Sequence, residues 1–127
     1  MNKEILTAEN APKAIGPYSI GVKSGDLMFL SGQVGIVPEK GGLISDDTKE
    51  QAMQAMKNIT AILNSSKATM ENIIKTTIYL TAMSDFSIVN EVYASYFKGD
   101  FPARSTVAVK ELPLGAKVEI EVTASVG

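Results

Sequence analysis

The sequence predicts an α+β fold, a mixed sheet with two helices packed on one face. Three observations carry this: two segments space their apolar residues as helices do, several others alternate like strands, and the order is strands, helix, strand, helix, strands. The 127 residues are read as one domain, 1–127, long enough to bury roughly two thirds of the unfolded surface.

In chain order, Ile5-Leu6 is expected as an edge strand. Ile15-Gly16-Pro17-Tyr18 follows as a turn in which Pro17 fixes its own φ. Ser19 to Lys23 and Leu27 to Ser31 flank Ser24-Gly25-Asp26 and read as a hairpin, and Gly35 to Gly42 reads as a loop. Asp47 with Glu50 resembles a capping box that opens the first helix. Its apolar stripe is Ala52, Met53, Ala55, Met56, Ile59, Ile62 and Leu63.

Ile73 to Thr81 alternates as a strand, with Ile74, Thr76, Ile78 and Leu80 on one face and Lys75, Thr77, Tyr79 and Thr81 on the other. The second helix begins near Ser84 or Asp85 and aligns Phe86, Val89, Val92, Tyr93 and Tyr96. Strands at about Arg104 to Val109 and Lys117 to Ala124 close the chain, joined through Leu112-Pro113-Leu114-Gly115.

Strand parity bears on function. Val118, Ile120, Val122 and Ala124 share a face that belongs under the helices, which turns Glu119 and Glu121 to the open face. If Val107 and Val109 also face the helices, Arg104 and Thr106 join Glu119 on the open side. That face, with Tyr79, Ala108 and several threonines, is half apolar, so a second subunit is expected to cover it.

Composition removes whole chemistries. With no cysteine there is no disulfide, thiolate nucleophile or Cys-ligated zinc, and with no histidine there is no Ser-His-Asp triad. A net charge of −2 gives no electrostatic reason to bind nucleic acid, and the apolar runs are too short to span a membrane. The start, Met1-Asn2-Lys3-Glu4, shows no secretory signal, and a cytoplasmic location is expected. Of the twelve basic residues eleven are lysine, and Arg104 is the one arginine. A guanidinium fork grips a carboxylate bidentately in a way that an ammonium does not. The alternative role for Arg104 is a structural salt bridge with Glu119, Glu121 or another acid.

The remaining candidates are weaker singly. Glu119 reads as a solvated face residue unless it shares a site with Arg104, where it would orient a water and move its proton. Gly32 in Ser31-Gly32-Gln33 permits close approach to the backbone or simply serves a turn. Tyr18 is a pocket lid or a turn residue, and Asn90 reads first as ordinary helix polarity.

Taken together, Ile15-Gly16-Pro17-Tyr18-Ser19, Ser31-Gly32-Gln33, Lys75 to Leu80, Phe86 with Val89-Asn90-Glu91-Val92-Tyr93, Phe101-Pro102-Ala103-Arg104-Ser105, and Leu112-Pro113 with Val118-Glu119-Ile120-Glu121 resemble the Rid (RidA/YjgF) family in order and spacing over essentially the whole chain. The resemblance implies a chorismate-mutase-like fold and a homotrimer with pockets between subunits. It also implies cofactor-free, metal-free hydrolysis of 2-imino and 2-enamino acids, as by a 2-iminobutanoate/2-iminopropanoate deaminase. Arg104 would bind the substrate carboxylate and Glu119 would assist the water, while Tyr18, Ser31, Gly32, Asn90 and Thr106 would contact substrate. Two positions depart from the family pattern. Gly32-Gln33-Val34-Gly35 replaces the commoner Gly-Gln-Ile-Pro, and Thr106 stands where deaminase-active members often carry cysteine. Thr106 keeps the backbone groups and offers a hydroxyl, so retained activity with changed preference or rate is expected. The alternative reading is a non-enzymatic regulatory protein that binds a small carboxylate.

Overall fold

The computed structural model describes residues 3–127; Met1 and Asn2 of the leader reading lie outside it. The strands are β1 (Glu4–Leu6), β2 (Gly21–Ser24), β3 (Leu27–Gln33), β4 (Ile36–Val37), β5 (Gly42–Leu43), β6 (Ile73–Leu80), β7 (Ala103–Ala108) and β8 (Val118–Ser125). The helices are α1 (Thr48–Ser65) and α2 (Phe86–Ala94). Six strands form one sheet in the order β1-β2-β3-β8-β6-β7, with β4 and β5 as a separate small hairpin inside the expected Gly35–Gly42 loop. All neighbours in the large sheet are antiparallel except β6 and β7, which run parallel across the α2 crossover, so the sheet is mixed.

The core forms where the two periodicities meet. Val118, Ile120, Val122 and Ala124 of β8 are buried, as are Thr76, Ile78 and Leu80 of β6 and Met28 and Leu30 of β3. Against them α1 sets Ala52, Ala55, Met56, Ile59, Ile62 and Leu63, and α2 adds Val89, Val92 and Tyr93. Met53, expected in the stripe, is exposed. Ile74 also departs from its expected face. The β6–β8 register shifts between Ile73 and Lys75, so Ile73 turns inward and Ile74 outward.

The start of α1 is fixed by hydrogen bonds and by buried amides. Asp47 accepts from the Glu50 amide at 2.9 Å. Glu50 does not complete the box by reaching back to the Asp47 amide. Ser45 Oγ accepts from that amide at 3.0 Å and donates to Glu50 Oε1. Gln51, buried beneath the turn, donates to the Ser45 carbonyl at 2.8 Å and accepts from the Lys117 amide at 2.8 Å, joining the helix to the run into β8. Asn58 reaches the Ile36 carbonyl at 2.9 Å and accepts from Gln54 at 2.9 Å.

Gly35 lies so close to this turn that a Cβ would meet Gln51 O at 2.6 Å and Gln51 Cα at 2.7 Å. Those are helix backbone atoms with no freedom to step aside. Gly35→Ala is therefore expected to cost ~1–3 kcal/mol, read as a lower denaturant midpoint at unchanged slope.

Candidate active site

Arg104 sits on β7 opposite Thr76 of β6, which pairs in turn with Val122 of β8. Thr76 and Val122 are buried under the helices, so Arg104 projects on the helix side. Thr106, in the row of Ile78 and Ile120, does the same, and Ala108 lies in the row of Leu80. Glu119 pairs with Tyr79, and Tyr79 with Val107, so these three face the opposite, open side. The expected sharing of one face by Arg104, Thr106 and Glu119 is thus corrected. The reason is that β7 is an edge strand exposed along both faces, with Val107 itself 43% exposed, so its valines do not mark the inside.

On the helix side α2 builds a holder for the guanidinium. Phe86, Asn90 and Tyr93 fall at i, i+4 and i+7, on one helical stripe facing β7. Arg104 Nη1 donates to Asn90 Oδ1 at 2.8 Å, and Arg104 Cζ lies 5.0 Å from the Tyr93 ring centroid and 5.4 Å from that of Phe86. None of these contacts is a carboxylate, so the salt-bridge alternative does not describe Arg104 among the described residues. The side chain is exposed at a cleft of about 380 Å³ lined by Asn90, Tyr93, Ala94, Phe101, Pro102 and Arg104. Two residues on, the Thr106 hydroxyl is buried with no hydrogen-bond partner among the described residues. Thr106 does not line the cleft beside Arg104.

On the open side the key group is Glu119. The register of β3 against β8 shifts between Leu30 and Gln33, a bulge that holds Ser31 and Gly32. A Cβ on Gly32 would lie 2.8 Å from both Cδ and Oε2 of Glu119, so only glycine leaves that carboxylate in place. Burial first, and then the charge of Glu121, push the Glu119 carboxyl above the ordinary carboxylate value. Glu121 accepts a hydrogen bond from the Tyr79 hydroxyl at 2.9 Å.

Ser31 Oγ donates to the Ser19 carbonyl at 2.6 Å and its amide donates to Ile20, tethering the segment that carries Tyr18. Tyr18 is half exposed, its hydroxyl accepting from the Ile15 amide at 3.4 Å. It lines a groove of about 1330 Å³ between residues 5–20 and α1, which includes neither Arg104 nor Glu119. Asn90 and Thr106 thus accompany Arg104, whereas Gly32 accompanies Glu119. One chain separates these two groups by the thickness of the sheet and by the intervening β6. Among the described residues no group of three or more His, Cys, Asp or Glu side chains is placed to hold a metal ion. The structure adds Phe86, Tyr93, Thr76, Phe101 and Glu121 to these groups, and the i, i+4, i+7 spacing of Phe86, Asn90 and Tyr93 on α2 is the sequence signal for two of them.

Residues 8–126 match the family model described as Endoribonuclease L-PSP. A structure titled as a protein of unknown function of the conserved Rid protein family, YyfA from Yersinia pestis, superposes with a TM-score of 0.96 at 48% identity, covering 98% of this chain and 100% of that one. The chain belongs to the Rid family. Among its Rid relatives is the human 2-iminobutanoate/2-iminopropanoate deaminase, 42% identical over 98% of this chain and 91% of that protein. Another solved relative, E. coli TdcF with bound serine, has a TM-score of 0.92 and 38% identity, covering 96% of this chain and 98% of that one. The Rid assignment agrees with the mixed sheet carrying both helices on one face.

Proposed function

We propose that this chain, as one Rid domain over 1–127, hydrolyses reactive 2-imino and 2-enamino acids to 2-oxo acids and ammonia without a cofactor, from pockets shared between subunits of a cytoplasmic homotrimer. The observation that carries the reading is the free edge of the Arg104 guanidinium, held by an amide and two rings beside an open cleft rather than by an acid. The human relative's name gives the substrate class, and the serine bound in the E. coli relative is a small molecule bearing the carboxylate that such a fork accepts.

The chemistry asks little beyond placement. An iminium carbon is already electrophilic, so a site that fixes the carboxylate and aims a water needs no covalent nucleophile. Arg104 holds the carboxylate. Glu119 of a neighbouring copy accepts a proton from water as its oxygen adds to C2 and returns it to nitrogen. It then takes the proton of the adduct's hydroxyl as the C–N bond breaks, so that the 2-oxo acid forms, ammonia leaves and the remaining proton passes to solvent as ammonium. Gly32 keeps the Glu119 carboxylate in reach, Tyr18 and Ser31 border that half of the pocket, and Asn90 and Thr106 border the other. Thr106 follows Arg104 on the same side of β7.

Joining the halves requires another copy, and the sheet offers a surface for it. Ile5, Phe29 and Val107 remain 51%, 47% and 43% exposed on the open face. Light scattering on the purified protein is expected to give three times the 13.5 kDa chain mass. A monomer at micromolar concentration would contradict this.

The activity is tested by generating 2-iminobutanoate or 2-iminopropanoate in situ with a dehydratase and following its decay. Accelerated decay is expected; decay no faster than in buffer ends the hydrolase reading. Binding of 2-oxobutanoate without imine turnover would instead support the regulatory alternative. The family description as an endoribonuclease raises an RNA reading, which the net charge of −2 and the absence of histidine disfavour.

A further inference from the structure

The guanidinium holder extends one layer deeper than the groups that touch Arg104. Tyr93 is 3% exposed and Thr76 1% exposed, and their hydroxyl oxygens lie 2.8 Å apart in the core between α2 and β6. Tyr93 also packs on Phe97 at 4.9 Å between centroids, and Phe97 meets Phe101 edge-on at 5.9 Å. The Tyr93 ring is therefore pinned at its hydroxyl by β6 and on its flank by Phe97, and it lies against Arg104. Thr76 sits directly opposite Arg104 in the β6–β7 register, so one pair of adjacent strand positions sets both ends of the contact.

We propose that Thr76, acting through Tyr93 together with Phe86, is a positioning residue that holds the Arg104 guanidinium in its carboxylate-binding orientation before substrate arrives. The inference rests on the carboxylate-binding role given to Arg104 above. An arginine normally loses side-chain freedom when it binds, and a holder that removes this freedom beforehand lowers that cost. Thr76 gives Tyr93 a polar partner inside an apolar layer, which fixes the ring rather than letting it rotate to find water. Burial raises the Tyr93 phenol, against smaller opposing effects of Thr76 and Arg104, so the ring stays neutral beside the cation.

The test exploits Arg104 being the one arginine in the chain, which makes the arginine Nε–H resonance a single assigned reporter. In the wild type without ligand, ¹⁵N relaxation is expected to show an ordered Nε–H. Thr76→Val keeps the shape and removes the hydroxyl, while Thr76→Ser restores a hydroxyl. Expected for Thr76→Val are a mobile Nε–H, a Kd for 2-oxobutanoate raised about 3- to 10-fold, and a KM for imine raised in parallel with kcat changed less than about twofold. Thr76→Ser is expected to return all three toward wild type. Phe86→Leu opens the other wall from a partly exposed site and is expected to loosen the same resonance should Thr76→Val prove too unstable to study.

An ordered Nε–H and unchanged Kd in both Thr76→Val and Phe86→Leu overturn the inference. A fall in kcat and thermal stability without a change in Nε–H order also overturns it, since that marks a structural role. If the wild type turns over no imine yet the Nε–H order and the 2-oxobutanoate Kd respond as described, the hydrolase reading falls while the positioning role stands.

Discussion

Arg104→Ala is expected to lower kcat/KM for imine hydrolysis by roughly 100- to 10,000-fold, the equivalent of losing two charge-assisted hydrogen bonds to the substrate carboxylate. Arg104→Lys is expected to keep only a small fraction, because an ammonium restores the charge without the planar fork that lies near the Phe86 and Tyr93 rings. Both variants are expected to melt close to wild type, since the side chain is exposed and pairs with no acid among the described residues. Steady-state kinetics beside thermal unfolding checks the prediction. A large loss of stability in step with activity would reassign Arg104 to the scaffold.

The second large effect falls on Glu119. Glu119→Gln keeps the shape and removes the proton acceptor, which is expected to cost about 10²–10⁴ in kcat at neutral pH. Its carboxyl is raised by burial and by Glu121, so the acid limb of the wild-type rate profile is expected above the pH at which an ordinary glutamate titrates. The sign follows from which form works. The carboxylate takes the proton, so the rate rises with pH as Glu119 ionises. Glu121→Gln removes the neighbouring negative charge and is expected to move that limb to lower pH. Stability runs the other way. A folded carboxyl that holds its proton more tightly than the unfolded one favours folding as pH falls through its raised value and is penalised when ionised. Glu119→Gln is therefore expected to be at least as stable as wild type at neutral pH while losing activity. A profile unmoved by Glu121→Gln would remove that charge from the mechanism.

Much of this is legible in the sequence. β8 and β6 lie inside the sheet with one face buried, so alternation reported the inside correctly for Val118 to Ala124 and for Thr76, Ile78 and Leu80. The same rule failed on β7, where both faces meet solvent and a valine carries no preference. It failed at Ile74 because a bulge resets parity, which period-two reading does not detect. Gln51 and Asn58 escaped notice because amides on an amphipathic helix read as solvent-facing. Here they are buried to satisfy backbone groups of distant loops, contacts that exist only after folding. In the site, Arg104 stood out by composition, whereas its distance from Glu119 depended on the parity of an edge strand. Correcting that parity moves Arg104 from the open face it was expected to share with Glu119 to the helix side.

The decisive measurement mixes the two inactive variants. Arg104→Ala and Glu119→Gln chains, co-expressed with different tags and purified for mixed oligomers, should regain turnover. In any trimer that holds both kinds of chain, about one third of the pockets pair an intact Arg104 with a neighbour's intact Glu119. Activity near that fraction of wild type is the expected result. Mixed oligomers no more active than either parent would mean that both residues must act from the same chain, which contradicts a pocket built across two copies.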